Sequence, residues 1–313
     1  MSLDAPPLAF TWADLVDRLV AERGSLAELA RSLQEVASGL ADDPLTVERG
    51  LRRLRGRGNQ QGDKYGRAVI RAFGVPGAIG DWARLLGQYH SRLSDLPSSM
   101  KRDQLRLWDR PPVSESPACV WIHIGLATLA HQSGDLQAVA HRLGLADFAV
   151  RHAEPAAAVE LHLFRARLEE HATPYLDAAR DRLGGAGLGE HDRACYLARL
   201  QDQLAYGAAQ GWRRDRSRLL DSQALYVEIP PGGPPFASFR RHHGLAWCAW
   251  RLGEMDALQH AMYAADAAGD GGLVRFRGMA LELAAHISGD RELSERAEEI
   301  ARRLRGTSRV GPH

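Results

Sequence analysis

Basic residues concentrate in one short stretch near the start of the chain. Residues 1–48 contain three arginines and nine acidic residues, whereas residues 49–71 contain eight cations and a single acid, Asp63. The local net charge therefore changes from −6 to +7, although the whole chain carries only +1. Contact with phosphate groups requires such a local positive surface, so residues 49–71 are a candidate nucleic-acid interface.

Signatures of other chemistry are missing from the sequence. There is no Gly-x-x-x-x-Gly-Lys phosphate loop and no Gly-x-Ser-x-Gly nucleophile elbow. Thirteen histidines are present, but none has the spacing of a metal site, and the adjacent pair His242-His243 points to different faces of a helix. We therefore expect no enzyme activity, no cofactor and no metal.

The composition is that of an ordinary globular protein, with 45% hydrophobic and 25% charged residues in 313. The longest apolar run, Ala118–Ala130, is too short to span a membrane. Nothing near Met1 resembles a signal peptide, and the three cysteines are far apart in apolar surroundings. These features predict a cytoplasmic protein with reduced cysteines and no membrane partner.

Three helix starts are predicted before residue 55. Thr11–Arg23 carries tryptophan, leucine and valine side chains on one face and is followed by Gly24. Ser25 and Glu28 have the spacing of a capping box, with serine as N-cap and glutamate reaching back. Asp43-Pro44 predicts the third start, because aspartate caps helices and proline is tolerated in the first turn.

This layout resembles the helix-turn-helix unit of bacterial transcription regulators. Leu29-Ala30 stands where the first helix of that motif carries its Leu-Ala pair, and Thr46–Leu54 resembles the recognition helix. The connection Gln34–Asp42 is longer than the three to four residues that are usual in this motif. Arg57–Gly66 has the glycine-rich, basic character of a wing or a phosphate-contacting loop. The candidate DNA-binding residues are Thr46, Arg49, Arg52, Arg53, Arg55, Arg57, Asn59, Gln60, Gln61 and Lys64.

A second interpretation of these helices stays open. Arginine makes up 38 of the 40 cations, a bias that a GC-rich genome produces without selection for arginine chemistry. Exposed arginines on a helix are usually solvated, and terminal units of repeat proteins are atypical in sequence. The N-terminal helices are then a protein-binding unit or a cap on the array described next.

A repeated phrase occurs in the C-terminal part of the chain. Copies that begin at Gly125, Gly244 and Ala280 share a small residue, then leucine, then alanine five places after the start and Gly-acid nine places after it. Looser copies begin at Leu161 and Asp202, the latter with Gly207 in the small position and Gly211 at the turn. The pattern predicts helical hairpins, in which glycine forms the turn and the acid caps the next helix.

The repeat resembles the tetratricopeptide type, whose period is about 34 residues. The resemblance implies a right-handed superhelix with a concave face that binds a peptide, a partner protein or another part of the same chain. Between the two regions, Asp81–Leu96 and Ser98–Trp108 are predicted helices, and Pro111–Pro117 is a predicted linker.

The sequence thus predicts an all-α chain in three parts. Residues 1–75 are predicted to form a helix-turn-helix-like unit whose third helix is followed by a wing or a loop. Residues 76–117 are predicted to be bridging helices and a linker, and residues 118–313 are predicted to be the tetratricopeptide-like array. We expect a DNA-binding regulator whose array binds a peptide or protein or mediates assembly. The alternative is an adaptor that binds proteins and no DNA. A homodimer is compatible with this, but no self-complementary face is identified.

Overall fold

The computed structural model describes residues 9–169, 171–185 and 187–305, and within them the chain is all-α without a β-strand. It divides into two compact units. Of the described residues, those up to 88 and from 99 to 153 form the first unit, and those from 89 to 98 and from 154 onward form the second. The prediction of an all-α chain is confirmed, while the helix-turn-helix and tetratricopeptide assignments stay predictions.

The first unit contains five helices before residue 88 and three after it. They are α1 (Trp12–Arg23), α2 (Leu26–Val36), α3 (Pro44–Arg55), α4 (Lys64–Phe73), α5 (Gly77–Gly87), α6 (Ser98–Trp108), α7 (Cys119–Gln132) and α8 (Leu136–Ala149). Helices α1, α2 and α3 pack against one another, and α4 packs on α2 and α3. Their shared core contains Trp12, Leu29, Leu33, Leu51 and Leu54, each fully buried.

The helix starts follow the predicted caps, with one difference. The Asp43 side chain accepts hydrogen bonds from the N–H groups of Leu45 and Thr46, and Pro44 is in the first turn of α3. The Ser25 hydroxyl accepts from the N–H of Glu28 at 3.1 Å, as predicted. The second half of that capping box is absent, because the Glu28 carboxylate pairs with Arg31 at 2.9 Å.

The segment after α3 is a set of turns that leads directly into α4. Since the described residues contain no strand, Arg57–Gly66 forms no β-hairpin wing, and of the two predicted forms only a loop is compatible with the structure. The predicted linker at residues 111–117 packs within the first unit, where Val113 is buried and the Glu115 carboxylate accepts from the N–H of Gly62 at 2.7 Å.

The predicted helix Asp81–Leu96 is wrong at its C-terminal end. Helix α5 ends at Gly87, and the chain continues through a turn at residues 89–90 to a short 3-10 helix, Arg92–Asp95. Gly87 packs against the backbone of Trp121 in α7. The following residues contact the second unit, of which they are part. Tertiary contacts thus override the helical pattern of the sequence after Gly87.

The second unit consists of four successive helix pairs. Its helices are α9 (Pro155–Leu168), α10 (Thr173–Gly184), α11 (Glu190–Ala208), α12 (Ser217–Val227), α13 (Pro235–Leu252), α14 (Ala257–Asp270), α15 (Val274–Ser288) and α16 (Arg291–Arg305). Within each pair the two helices pack together, and the first helices of successive pairs (α9, α11, α13 and α15) also contact one another in order. This arrangement buries apolar faces that a single pair leaves open.

The turn glycines adopt the predicted conformation. All four have positive φ values, which glycine adopts without the steric cost of a Cβ: Gly134 (74°), Gly211 (83°), Gly253 (79°) and Gly289 (72°). The acidic residues that follow these glycines differ in whether they cap the next helix. Asp135 and Asp290 cap α8 and α16 by accepting backbone N–H groups. The predicted cap at Glu254 is wrong, because α14 begins three residues later and Glu254 accepts from the Gln223 side chain.

Small residues in the repeat have unequal packing roles. A Cβ added at Gly244 in α13 would overlap the buried ring of Tyr226 in α12, so this glycine permits a close approach of two helices. A Cβ added at Gly125 would lie 2.8 Å from Leu105. Gly207, the small residue of a looser copy, has open space around it.

We predict that Gly244→Ala destabilises the protein by about 2 kcal/mol, because the Tyr226 ring must shift within a packed core. The matched control is Gly207→Ala, which adds the same methyl group in open space and gains helix propensity, with an expected effect between zero and about 1 kcal/mol of stabilisation. Urea unfolding followed by circular dichroism measures both. Equal effects of the two substitutions would show that Gly244 has no packing role.

A polar cluster joins α6, α7 and α8 in the first unit. The Arg142 guanidinium donates to the Asp109 carboxylate at 2.6 Å and lies 3.3 Å from Nδ1 of His123. His123 is 8% exposed. Burial lowers the pKa of His123 to about 4; the Asp109 carboxylate opposes this shift, whereas Arg142 and His141 add to it. The folded state therefore holds His123 as neutral imidazole.

This geometry predicts a loss of stability on acidification. The unfolded chain binds a proton at His123 below its ordinary pKa of 6.5, whereas the folded chain does so only near 4. The stabilisation of the folded state by neutral His123 is complete above pH 6.5 and is lost as the pH drops toward 4. The free energy of unfolding therefore decreases by about 2 kcal/mol between pH 7 and pH 5. His123→Gln should reduce the pH dependence of the unfolding free energy by this amount. The same pH dependence in both proteins would contradict the assignment.

Candidate functional site

Helix α3 presents one basic, outward face. Its inner face is formed by Val47, Gly50, Leu51 and Leu54, all buried against the neighbouring helices. Helical spacing therefore places Arg49, Arg52 and Arg53 on the opposite side, where all three are exposed. Leu45, in the first turn of α3, is 61% exposed. The sequence prediction places these arginines on one surface, and the structure brings them together there.

Ion pairs within the first unit occupy part of the predicted positive charge. Arg52 pairs with Glu48 on the same helix, Arg55 pairs with Asp17 of α1 at 2.7 Å, and Arg57 pairs with Asp63 at 3.1 Å. Such exposed pairs stabilise the fold by only roughly 0–1 kcal/mol each. Their main effect here is to reduce the positive electrostatic potential of this surface. In the described part of the chain, Arg49 and Arg53 have no acidic partner within 4.0 Å.

The polar residues of the loop have structural contacts. Both amide hydrogens of Asn59 are used, because Nδ2 donates to the carbonyl oxygens of Phe10 at 2.8 Å and Pro111 at 2.6 Å. The carbonyl of Gln60 accepts from Nε1 of the buried Trp12 at 2.9 Å. Asn59 therefore has no free donor for a base edge. These contacts hold the loop between α1 and residue 111.

The other predicted residues differ in their availability. The Gln61 side chain is exposed, and the Lys64 ammonium lies 5.2 Å from the centre of the Tyr65 ring. The Thr46 hydroxyl donates to the Asp43 carboxylate at 2.7 Å, so it can still accept a hydrogen bond.

Two cations outside the predicted set extend the basic surface of α4. Arg67 and Arg71 are exposed and follow Lys64 at spacings of three and seven residues, so these three side chains share one face of α4. The signal that identifies them is the same charge concentration that marks residues 49–71.

A second cluster lies in the second unit and was not anticipated from the sequence. Its centre is Tyr89, the first residue of the segment 89–98. The Tyr89 hydroxyl accepts from Arg240 at 2.8 Å, and its carbonyl oxygen accepts from Arg275 at 3.2 Å. Four guanidinium groups lie within about 6 Å of the ring centre, those of Arg199 (4.7 Å), Arg275 (4.8 Å), Arg240 (5.7 Å) and Arg167 (6.0 Å).

Carboxylates on adjacent first helices balance part of this charge. Arg199 of α11 donates to Glu160 of α9 at 2.6 Å, and both side chains are buried. Arg240 of α13 pairs with Asp202 of α11 at 3.2 Å. Asp202 also accepts from the Tyr226 hydroxyl at 3.1 Å. Each ion pair therefore joins one first helix to the next.

The electrostatics of this cluster show in its pKa shifts. Burial alone would raise the pKa of Tyr89, but Arg240 and Arg275 outweigh burial and lower it. Burial lowers the pKa of Arg275, and the opposing effects of Tyr89 and the Asp95 carboxylate do not cancel this shift. For Arg240, burial acts downward as well, but Asp202 and Tyr89 raise the pKa above its ordinary value.

Aromatic rings complete the cluster. Phe236, Phe239 and Phe276 contact one another with centroid distances of 5.1–6.3 Å, and Tyr89 lies edge-on to Phe276 at 5.5 Å. Arg275 lies over Phe276 at 4.5 Å. The term Tyr89 cluster is used below for Tyr89, Arg199, Phe236, Arg240, Arg275 and Phe276.

Other kinds of site were not found in the described residues. No group of three or more histidine, cysteine, aspartate or glutamate side chains there is arranged to hold a metal ion. No helix in that part of the chain is long and apolar enough to cross a membrane. No protein-family model, curated protein or solved structure matches the chain, so the site has to be interpreted from its own geometry.

We predict that Arg240→Met destabilises the second unit by about 3 kcal/mol. The substitution keeps much of the side-chain volume but leaves Asp202 without its ion pair and the Tyr89 hydroxyl without its donor. Arg213→Met is the control, because Arg213 is exposed, and we expect it to change stability by less than about 0.5 kcal/mol. Urea unfolding followed by circular dichroism provides both values. A loss at position 240 no larger than at position 213 would contradict this role of Arg240.

Proposed function

We propose that the chain is a DNA-binding transcription regulator whose tetratricopeptide-like array binds a peptide or protein partner or mediates assembly. The observation that carries the DNA half is the outward face of α3, where Arg49 and Arg53 lie one turn apart without an acidic partner in the described part of the chain. Two free guanidinium groups at this spacing can contact phosphates or the O6 and N7 atoms of guanine.

The first turn of α3 supports the same proposal. The major groove is about 12 Å wide and admits a helix, and the N-terminal residues of a recognition helix contact the base edges. Leu45 is exposed there, and it can contact a thymine methyl group. Arg67, Arg71 and Lys64 on α4 add cations for the phosphate backbone.

The adaptor alternative rests on a specific observation as well. Three of the cations on or after α3 already pair with carboxylates of the same unit, and Asn59 is used for the fold. A surface with fewer free charges also suits a protein partner. The two functions differ in their salt dependence, since neutralising the phosphates of a duplex releases its condensed counterions and makes the affinity fall steeply with salt.

The test is a titration of the full chain with a fluorescent random-sequence duplex at several salt concentrations. We expect the affinity to fall with salt, and Arg49→Ala/Arg53→Ala to weaken binding at least tenfold and to reduce the slope of log K against log salt by about 1.8. The control is Arg291→Ala/Arg303→Ala, which removes two exposed arginines from α16.

Binding without salt dependence, or equal losses in the two double variants, would refute the assignment of DNA binding to α3. Retained helical circular dichroism in all variants ensures that the comparison concerns the surface and not the fold.

A further inference from the structure

The segment 89–98 is held by the second unit as a bound peptide is held by a receptor. It contains only a four-residue 3-10 helix and packs against α15. Its anchors are side-chain contacts. Arg240 donates to the Tyr89 hydroxyl, and His90 lies edge-on to Tyr196 at 4.7 Å. His90 also faces Asp192 at 4.0 Å.

The C-terminal half of the segment binds the start of α15. The Arg275 side chain reaches both the Tyr89 carbonyl and, at 3.4 Å, the Ser94 hydroxyl. The Asp95 carboxyl lies beside the backbone N–H groups of Val274 and Arg275 and beside the Arg275 guanidinium. An acidic group at this position compensates the free N–H groups of a helix start, and the residue before α15 supplies no side-chain cap.

The residues that contact Tyr89 come from the first helices of four successive pairs: Arg167 of α9, Arg199 of α11, Arg240 and Phe236 of α13, and Arg275 and Phe276 of α15. One face of the array therefore converges on a single aromatic ring. Burying several guanidinium groups is costly, and apolar residues of similar volume often stabilise a core better. A cluster of costly buried arginines around one ring favours a recognition role over a purely structural one.

We propose that the first-helix face of the array is a receptor for a peptide that forms a turn and a short 3-10 helix, with a tyrosine followed by serine and aspartate five and six residues later, and that residues 89–98 are a built-in copy of this ligand. An external peptide of the same chemistry binds when it displaces the segment. The inference rests on the array half of the proposed function and does not depend on DNA binding.

An external peptide displaces residues 89–98 only above a certain concentration. The built-in copy is tethered at both ends, so its effective concentration at the cluster is on the order of mM. A free peptide with the same contacts competes only near that concentration. A partner that makes further contacts along the first helices competes at lower concentration.

The experiment uses the full chain with residues 89–98 replaced by a Gly-Ser linker of equal length. The probe is a fluorescein-labelled synthetic peptide with the sequence of residues 88–98. We expect the linker variant to bind the probe at least tenfold more tightly than the wild-type chain does. The probe with Tyr89→Ala should lose at least tenfold in affinity for the linker variant.

Arg275→Gln in the linker variant should also weaken binding at least tenfold. The control is Arg277→Gln, an exposed arginine of the same helix. A linker variant that keeps its helical circular dichroism but does not bind the probe overturns the proposal, as do equal affinities for the two probes. If the linker variant fails to bind the probe but binds DNA as the wild-type chain does, the peptide proposal fails while the DNA proposal stands.

A second measurement on the wild-type chain decides the matter if the linker variant does not fold. Trypsin cleaves after Arg92, which lies in the segment and is exposed. At mM concentration an unlabelled peptide of residues 88–98 that carries Arg92→Gln, and is therefore not cut by trypsin, should accelerate cleavage of the chain at Arg92 at least threefold, as followed by mass spectrometry, and the same peptide with Tyr89→Ala in addition should not. Equal cleavage rates with both peptides overturn the proposal.

Discussion

The charge of Arg240 is the constraint on which the second unit depends. A guanidinium at 6% exposure requires compensation, and the structure provides it from two directions, Asp202 of the preceding first helix and the Tyr89 hydroxyl. The same requirement recurs one pair earlier, where Arg199 meets Glu160. These contacts join α9 to α11 and α11 to α13. They also explain why residues 89–98 are part of this unit.

In the first unit the charged side chains of α3 face outward and are not buried. Its apolar core orients α3 so that the charged side of the helix faces outward, and acidic side chains of α3 and α1 neutralise some of its arginines. The free charge that remains at Arg49 and Arg53 is smaller than the sequence total suggests. The proposed function therefore rests on the position of two residues on α3 and on the stripe along α4, and not on the abundance of arginine.

Local features were predictable from the sequence because their causes are local. The N-caps at Ser25 and Asp43 and the turns at Gly134, Gly211, Gly253 and Gly289 each depend on a few adjacent residues. Features with distant causes were not predictable. Arg55 meets Asp17 across 38 positions, and Arg275 meets Tyr89 across 186, so no spacing rule links them. The end of α5 at Gly87 belongs to the same class, since contacts of the following residues within the second unit replace a helical continuation.

The most direct test of the central claim, that α3 contacts DNA, is hydrogen exchange of the full chain with and without a random-sequence duplex at low salt. The account predicts slower exchange of backbone amides in residues 44–55 and 64–73 on addition of the duplex, with residues 274–305 unchanged. Protection that is absent from residues 44–55, or confined to the helix pairs of the second unit, would contradict it.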